Sequence, residues 1–389
     1  MPAKIAAWTA VVVTCLLAAT LSLAQDLATD QTIGNLEVVT TFEGPMPTGV
    51  TVSADGRIFA NFPKWRDDVA YTVAEVMNGK TVPYPNAKIN SYHEGDNPAG
   101  KLISVQSVVV DPTGSRLWIL DTGSIAFGPT SAGGPKLVGV DLTTNQVIKK
   151  ITFPTDVALP TSYLNDVRFD LSRGGQGMAF ITDSTSSGPN GIIVVDLASG
   201  KSWRRLHDHP STKPDPQFVP VAEGQILQMR IPGQRPARFA VGSDGIAISA
   251  DGKTLYYCPL TSRHLYSVSV DALADPGKSN GEVAARVKDL GEKGGASDGL
   301  ESDAQGRVYL SDWEHDAIRR RRTDGQIETL VHDPRVLWPD TLSLAADGYL
   351  YFTANQVERQ AVFHDGHDLR RKPYVLFRVK VDGTRIGKH

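Results

Sequence analysis

"LWPDTLSLAADGYLYFTANQ", Leu337 to Gln356, reads as two β-strands around an Asp-Gly turn. The first strand is apolar enough to be buried, yet Asp340 stands at its mouth. The same arrangement occurs in "SDGIAISADGKTLYY" with Asp244 and in "SDGLESDAQGRVYLSDW" with Asp298. Counting back eight residues from each turn glycine extends the series to Thr48 in "TGVTVSADGRIFAN" and Gln106 in "QSVVVDPTGSRLWILD". "NDVRFDLSRGGQGMAFITD" has a longer turn, and registering it on Asp170 adds Asn165. The six positions are separated by 58, 59, 79, 54 and 42 residues. An internal repeat of strand pairs at this spacing is the mark of a radial array.

Further strands follow the pairs: "KLVGVDL" and "QVIKKITF", "GIIVVDL" and "SWRRLH", "LYSVSV" and "ARVKDL", "AIRRRRT" and "IETLVH". Four strands per unit and six units predict an all-β fold, a six-bladed β-propeller of four-stranded blades. No long helical period interrupts it. The sixth unit has a third strand, "YVLFRVKV", and then the chain ends. Its fourth is predicted to be "LEVVTTF", residues 36–42, so that the N-terminal strand joins the last blade and removes the exposed edges.

The 389 residues are 41% hydrophobic and 21% charged, enough apolar material for a large core. A formal net charge of −3 gives the whole molecule no pull towards nucleic acid or anionic lipid. The one basic run, Arg319 to Arg322, is expected on a solvated outer edge. "MPAK", then "IAAWTAVVVTCLLAATL", then "SLA" before Gln25 has the order of a cleaved signal peptide over residues 1–24. Residues 25–389 are then one propeller domain with no stable membrane span, secreted or periplasmic. Cleavage leaves one cysteine, Cys258, and no Asn-x-Ser/Thr sequon occurs. An exported chain without disulfides fits a bacterial periplasm or medium.

In a propeller the first strand of each blade lines the central channel. Thr48, Gln106, Asn165, Asp244, Asp298 and Asp340 therefore converge at one mouth, as a candidate ligand-binding ring. Three carboxylates there raise one another's pKa unless something positive lies among them. Oxygen ligands alone suit Ca²⁺ or Mg²⁺ rather than Zn²⁺. Two blander readings stand beside this one. Each Asp can accept bonds from its own turn's N–H groups, and a water-lined channel needs no metal. The long links between strands open on the same face, and Trp65, Tyr92, His93, Phe127 and Trp313 are positioned to wall a pocket there.

Other motifs carry less. "GASDG", Gly295 to Gly299, has the spacing of a hydrolase nucleophile elbow, but it precedes a strand with no helix after it. "HDGH" (His364, His367) and "HDH" (His207, His209) read as loop histidines. No phosphate-cradling loop or dinucleotide fingerprint occurs.

Across nearly the whole chain after residue 24 the sequence resembles the major royal jelly protein/yellow family. The resembling stretches run in order from "NFPKW", "PYPNAKIN" and "SVQSVVVDPTGSRLWILDTG" through "GGPKLVGVDL", "YLNDVRFD" and "GIAISADGKTLYYCPLTSRHLYSV" to "SDGLESDAQGRVYLSDWE" and "KPYVLFRVKVDG". Lacking paired cysteines and sequons, it is similar to bacterial members. The resemblance implies a six-bladed propeller. Insect members of the family include nutritional proteins, pigmentation factors, amine binders and proteins credited with dopachrome conversion. A more distant resemblance links the ring to gluconolactonase-like propellers, whose channel metal is held by Glu, Asn, Asn and Asp. On that pattern Asn165, Asp244 and Asp298 would hold a divalent cation, while the Glu position falls at or near Thr48. The expected function is small-molecule binding at the loop-rich face over an acidic channel mouth. The alternatives are a metal-dependent lactonase at the same place and a purely protein-binding propeller.

Overall fold

Each repeat seen in the sequence folds into one blade. The innermost strands are Gly49–Val52, Val105–Val110, Leu164–Asp170, Ser243–Ile248, Ser297–Ser302 and Pro339–Leu344. Blades 1 to 5 each add three consecutive antiparallel strands outward from these. Blade 6 adds Tyr349–Ala354 and Tyr374–Lys380, and its outermost strand is Leu36–Phe42. Leu36 pairs with Val379 and Phe42 with Tyr374, so the ring closes as the sequence predicts. The computed structural model describes residues 31–387, and the leader predicted over residues 1–24 lies outside them.

The core is a set of wedges between neighbouring blades. Phe59, Val108 and Val138 fill the space between blades 1 and 2, and Trp118, Val167, Phe169 and Ile181 that between blades 2 and 3. Inner strands are buried on both faces, which is why they read as apolar runs rather than alternating ones. Helices are short, Ala87–Asn90, Val270–Ala274 and Asn280–Ala284, and the last starts on a capping box from Ser279 and Glu282. Among the described residues, no helix is long and apolar enough to cross a membrane.

The arginine run departs from its expected place. Ala317–Arg321 is the third strand of blade 5, and Ile327–His332 lies outside it. Arg320 is buried, paired with Glu328 at 2.7 Å and Asp382 at 2.5 Å. Arg319 pairs with Asp312 at 2.5 Å. The run is a structural ion-pair set, because acidic partners come from the neighbouring strands and from the C-terminal turn.

The largest insertion, between blades 3 and 4, forms two small ribbons, Val221–Ala222 with Gln225–Ile226 and Gln228–Met229 with Ala237–Arg238. Together with the Gln356–Arg371 loop of blade 6 it roofs one end of the channel. Phe239 meets Phe363 edge-on at 5.2 Å, and the Arg230 N–H donates to the Val362 carbonyl at 2.6 Å.

A carboxyl-floored, aromatic-walled cavity at the channel mouth

The opening Asp of a buried strand has a structural explanation. In five blades the pairing of the first two strands slips at the ring residue. The slips lie between Val105 and Ser107, Leu164 and Val167, Ser243 and Ile246, Ser297 and Leu300, and Pro339 and Leu342. A bulge takes a residue out of the ladder and re-aims its side chain. Here it turns Gln106, Asn165, Asp244, Asp298 and Asp340 towards the channel. The glycines after Asp244 and Asp298 let the next blade come close. A Cβ on Gly245 would sit 2.4 Å from the Asp298 carbonyl oxygen, and one on Gly299 2.4 Å from that of Asp340.

Turn carboxylates behave differently. Asp111 accepts from the Thr113 N–H, Arg116 and Trp118. Asp303 accepts from the N–H groups of Gln305 and Arg307. Those aspartates are satisfied by their own turns, whereas the ring aspartates are not. Asp298 Oδ2 accepts from the Trp338 indole at 2.7 Å, and Asp340 Oδ2 from Asn355 Nδ2 at 2.7 Å. The Asp244 and Asp340 carboxyls act on that of Asp298 through hydrogen bonding and charge.

Burial pushes the Asp298 carboxyl up to about 6, against the lowering effect of the Trp338 bond. Burial, then the charge of Asp298, holds Asp244 and Asp340 well above the ordinary carboxylate range. The three titrate as one unit.

These side chains floor a cavity of about 330 Å³. Gln106, Asn165, Asp244 and Asp298 reach it; Thr48 and Asp340 do not line it. The Thr48 hydroxyl is taken by Asn61 Nδ2 at 2.8 Å. Asp340 is buried and held by Asn355. Of the aromatic residues expected on the wall, Trp65 and Phe127 line it. Tyr92 instead packs on Lys64, His93 is exposed beside Asp96, and Trp313 is buried in the core, stacked on Trp338 at 4.4 Å. His207 and His209 lie among their own loop partners, Arg204 and Ser211.

Several lining residues carry no motif in the sequence: Tyr163, Phe239, Trp338 and Phe363. Phe127 lies 5.1 Å from Trp65 and 4.9 Å from Tyr163, and the Tyr163 hydroxyl donates to Gln106 Oε1 at 3.0 Å. Tyr163 and Trp338 each stand two residues before a ring residue, at the entry of an inner strand. That position is the signal that points to them. Two wall aromatics have left-handed backbones, Phe127 at φ 60 and Trp338 at φ 51. Bulky residues rarely take this conformation, and such positions cluster at ligand clamps. The Phe127 ring is nonetheless 56% exposed, so no core packing requires it there.

One layer deeper the channel is crossed. Arg168 of blade 3 bonds both oxygens of Asp166 at 2.9 Å and reaches the Leu300 carbonyl of blade 5 at 2.6 Å. At the far end Arg385 donates to the carbonyls of Val110 and Asp111. A void of about 30 Å³ lies between these two arginines. The cavity is a blind pocket that opens on the roofed face.

Residues 103–382 match the model of the major royal jelly protein family. The chain belongs to that family. It is 29% identical over 244 residues to Protein yellow of Drosophila pseudoobscura pseudoobscura, across 60% of this chain and 41% of the relative. Protein yellow of Drosophila melanogaster is 28% identical over 244 residues, across 60% and 42%. The chain thus spans less than half the length of these relatives. Among solved structures it is similar to a calcium-binding regucalcin from Agrobacterium tumefaciens (TM-score 0.52, 17% identity, 90% of this chain and 97% of that one). It is also similar to a gluconolactonase from Xanthomonas campestris (TM-score 0.52, 12% identity, 89% of each). At these identities the royal jelly family member shares the fold of those proteins.

The gluconolactonase-like metal pattern meets this chain incompletely. Asn165, Asp244 and Asp298 share the cavity, but the Glu position falls at or near Thr48, which does not line it. Among the described residues, no three His, Cys, Asp or Glu side chains are grouped to hold a metal ion. Two carboxyls and one amide supply at most five oxygens, against the six to eight that Ca²⁺ takes.

Proposed function

We propose that the protein is exported and binds a small organic cation in the channel-mouth cavity. The observation that carries this reading is the placement of Asp298 and Asp244 on the floor of a blind, aromatic-walled pocket. A buried carboxylate without a cationic partner is costly, and an ammonium group that displaces the shared proton relieves it. The apolar body of the ligand lies among Trp65, Phe127, Phe239 and Phe363, where ring faces attract a cation and bury its carbon atoms. Gln106, Asn165 and the Ser184 to Ser187 loop supply hydrogen bonds for orientation. Export rests on the order of basic, apolar and small residues in positions 1–24.

The test compares tyramine with 4-ethylphenol, which keeps the ring and loses the charge. Calorimetry should show the amine binding at least tenfold more tightly. Equal affinity would overturn the reading.

Asn165, Asp244 and Asp298 in one cavity favour a second reading, a divalent cation held by these three. Such an ion would polarise a bound carbonyl for hydrolysis. Metal analysis of the purified protein, with hydrolysis of a simple lactone measured before and after chelation, separates it from the first.

A further inference from the structure

A second depression lies beside the roofed cavity, in a cleft of about 980 Å³ between the 222–230 and 358–371 segments. Four guanidinium groups line it. Arg359 is paired with Glu223, and Arg370 with Asp67 and Asp368. The side chains of Arg230 and Arg371 make no hydrogen bond or ion pair among the described residues, although their backbones are held by Val362 and Gln356. The acidic residues of the cleft do not answer them. Glu223 and Asp368 are already paired. Glu358 is buried, and burial pushes its carboxyl up to about 8, so it is uncharged near neutral pH. Only Asp365 remains. The cleft therefore keeps a surplus of positive charge on a chain whose formal net charge is −3.

The walls are apolar where the charges are not. Ile226 is 58% exposed and Leu369 48% exposed, and both line the cleft. Exposed apolar side chains on two separate segments that face one groove mark a binding surface more than either does alone.

We propose that this cleft is a binding site, distinct from the channel cavity, for an amphipathic anion: a carboxylate on an apolar chain. Arg230 and Arg371 hold the anionic group, since the guanidinium fork matches a carboxylate in two bonds. The apolar chain lies between Ile226 and Leu369. The ligand joins the inserted ribbons to the blade 6 loop, the two segments that also roof the channel cavity.

The probe is octanoate, titrated by calorimetry into the full-length mature protein. Octanoate should bind, and octylammonium should not compete for it. Arg230→Gln with Arg371→Gln should weaken octanoate binding by roughly tenfold or more, a change of about one charge-assisted contact. Ile226→Ser should weaken it as well, because inorganic phosphate and octanoate would otherwise bind alike. All three substitutions are at partly or fully exposed positions, so a matched melting curve shows that the fold is kept. Asp298→Asn should leave octanoate binding unchanged. The proposal is overturned if octanoate does not bind, if the double Arg variant binds it as the parent does, or if Asp298→Asn abolishes it. Binding to vesicles of anionic phospholipid without binding to monomeric octanoate would also overturn it, since the face would then be a membrane surface and not a ligand site.

Discussion

Trp338 donates its indole N–H to Asp298 Oδ2 at 2.7 Å while stacking on Trp313 at 4.4 Å and an interplanar angle of 15°. One side chain thus ties the charged floor of the cavity to the apolar core beneath the roof. It is also the link that makes the floor visible to spectroscopy.

Protonation of Asp298 should change the emission of this tryptophan pair. The folded carboxyl is raised to about 6 from an ordinary 3.8. The folded state therefore holds its proton to higher pH than the unfolded chain does. By linkage, stability from this group is fully present below the unfolded value and is lost as pH rises through about 6. The melting temperature of the parent should fall relative to Asp298→Asn between about pH 4 and pH 7, and then run parallel to it. Parallel curves across the whole range would contradict the buried, coupled floor.

Gly245→Ala should destabilise the ring. Its Cβ would meet the Asp298 carbonyl oxygen at 2.4 Å and Leu300 Cγ at 2.8 Å, so two inner strands must separate. Overpacking of this kind costs about 1–3 kcal/mol. Gly44→Ala, with nothing within 4 Å, is the control and should melt like the parent or slightly above it. Denaturant melts of the two variants decide the matter.

Phe127→Ala should separate binding from folding. The ring is 56% exposed, so stability should stay within about 0.5 kcal/mol of the parent. Affinity for an aromatic amine should drop by roughly tenfold, because the ring packs with Trp65 and Tyr163 in the wall of the mouth. Unchanged affinity would move the ligand away from this wall.

Deleting residues 31–42 should leave Tyr374–Lys380 as an unpaired edge and remove the bonds that Ile33 and Gly34 make to Thr329 and Leu330 of blade 5. The shortened protein should aggregate or lose a single cooperative transition. A melt like the parent's would mean that strand pairing from the N-terminus does not lock the ring.

Much of this architecture was legible because inner strands carry their own signal. "DTLSLA" and "YLYFTA" are apolar runs around an Asp-Gly turn, and the same spacing recurs for each blade. The missing fourth strand of blade 6 pointed directly to "LEVVTTF". The ring was also legible as a column, but its depth was not. Counting back from a glycine places Thr48 and Asp340 beside Asp298, and cannot say that Thr48 is spent on Asn61 or that Asp340 is held by Asn355 away from the cavity. Contacts made between strands decide that, and neither strand alone carries them. Arg168 looks like one charged residue in a strand; only closure of the ring brings the Leu300 carbonyl of blade 5 within its reach. The roof was hidden for a similar reason. Phe239 and Phe363 lie 124 positions apart in the chain and meet because an insertion and a loop fold over the same mouth.

On the proposed function, an organic cation replaces the proton on the Asp298 floor. Calorimetric titration of tyramine at pH 6, repeated in two buffers of different ionisation enthalpy, measures that exchange. Release of roughly half a proton per amine bound is expected, since Asp298 is near its midpoint there. Asp298→Asn should also bind the amine at least tenfold more weakly and release fewer protons. Binding of equal strength to Asp298→Asn, with a heat independent of buffer, would contradict the proposed function.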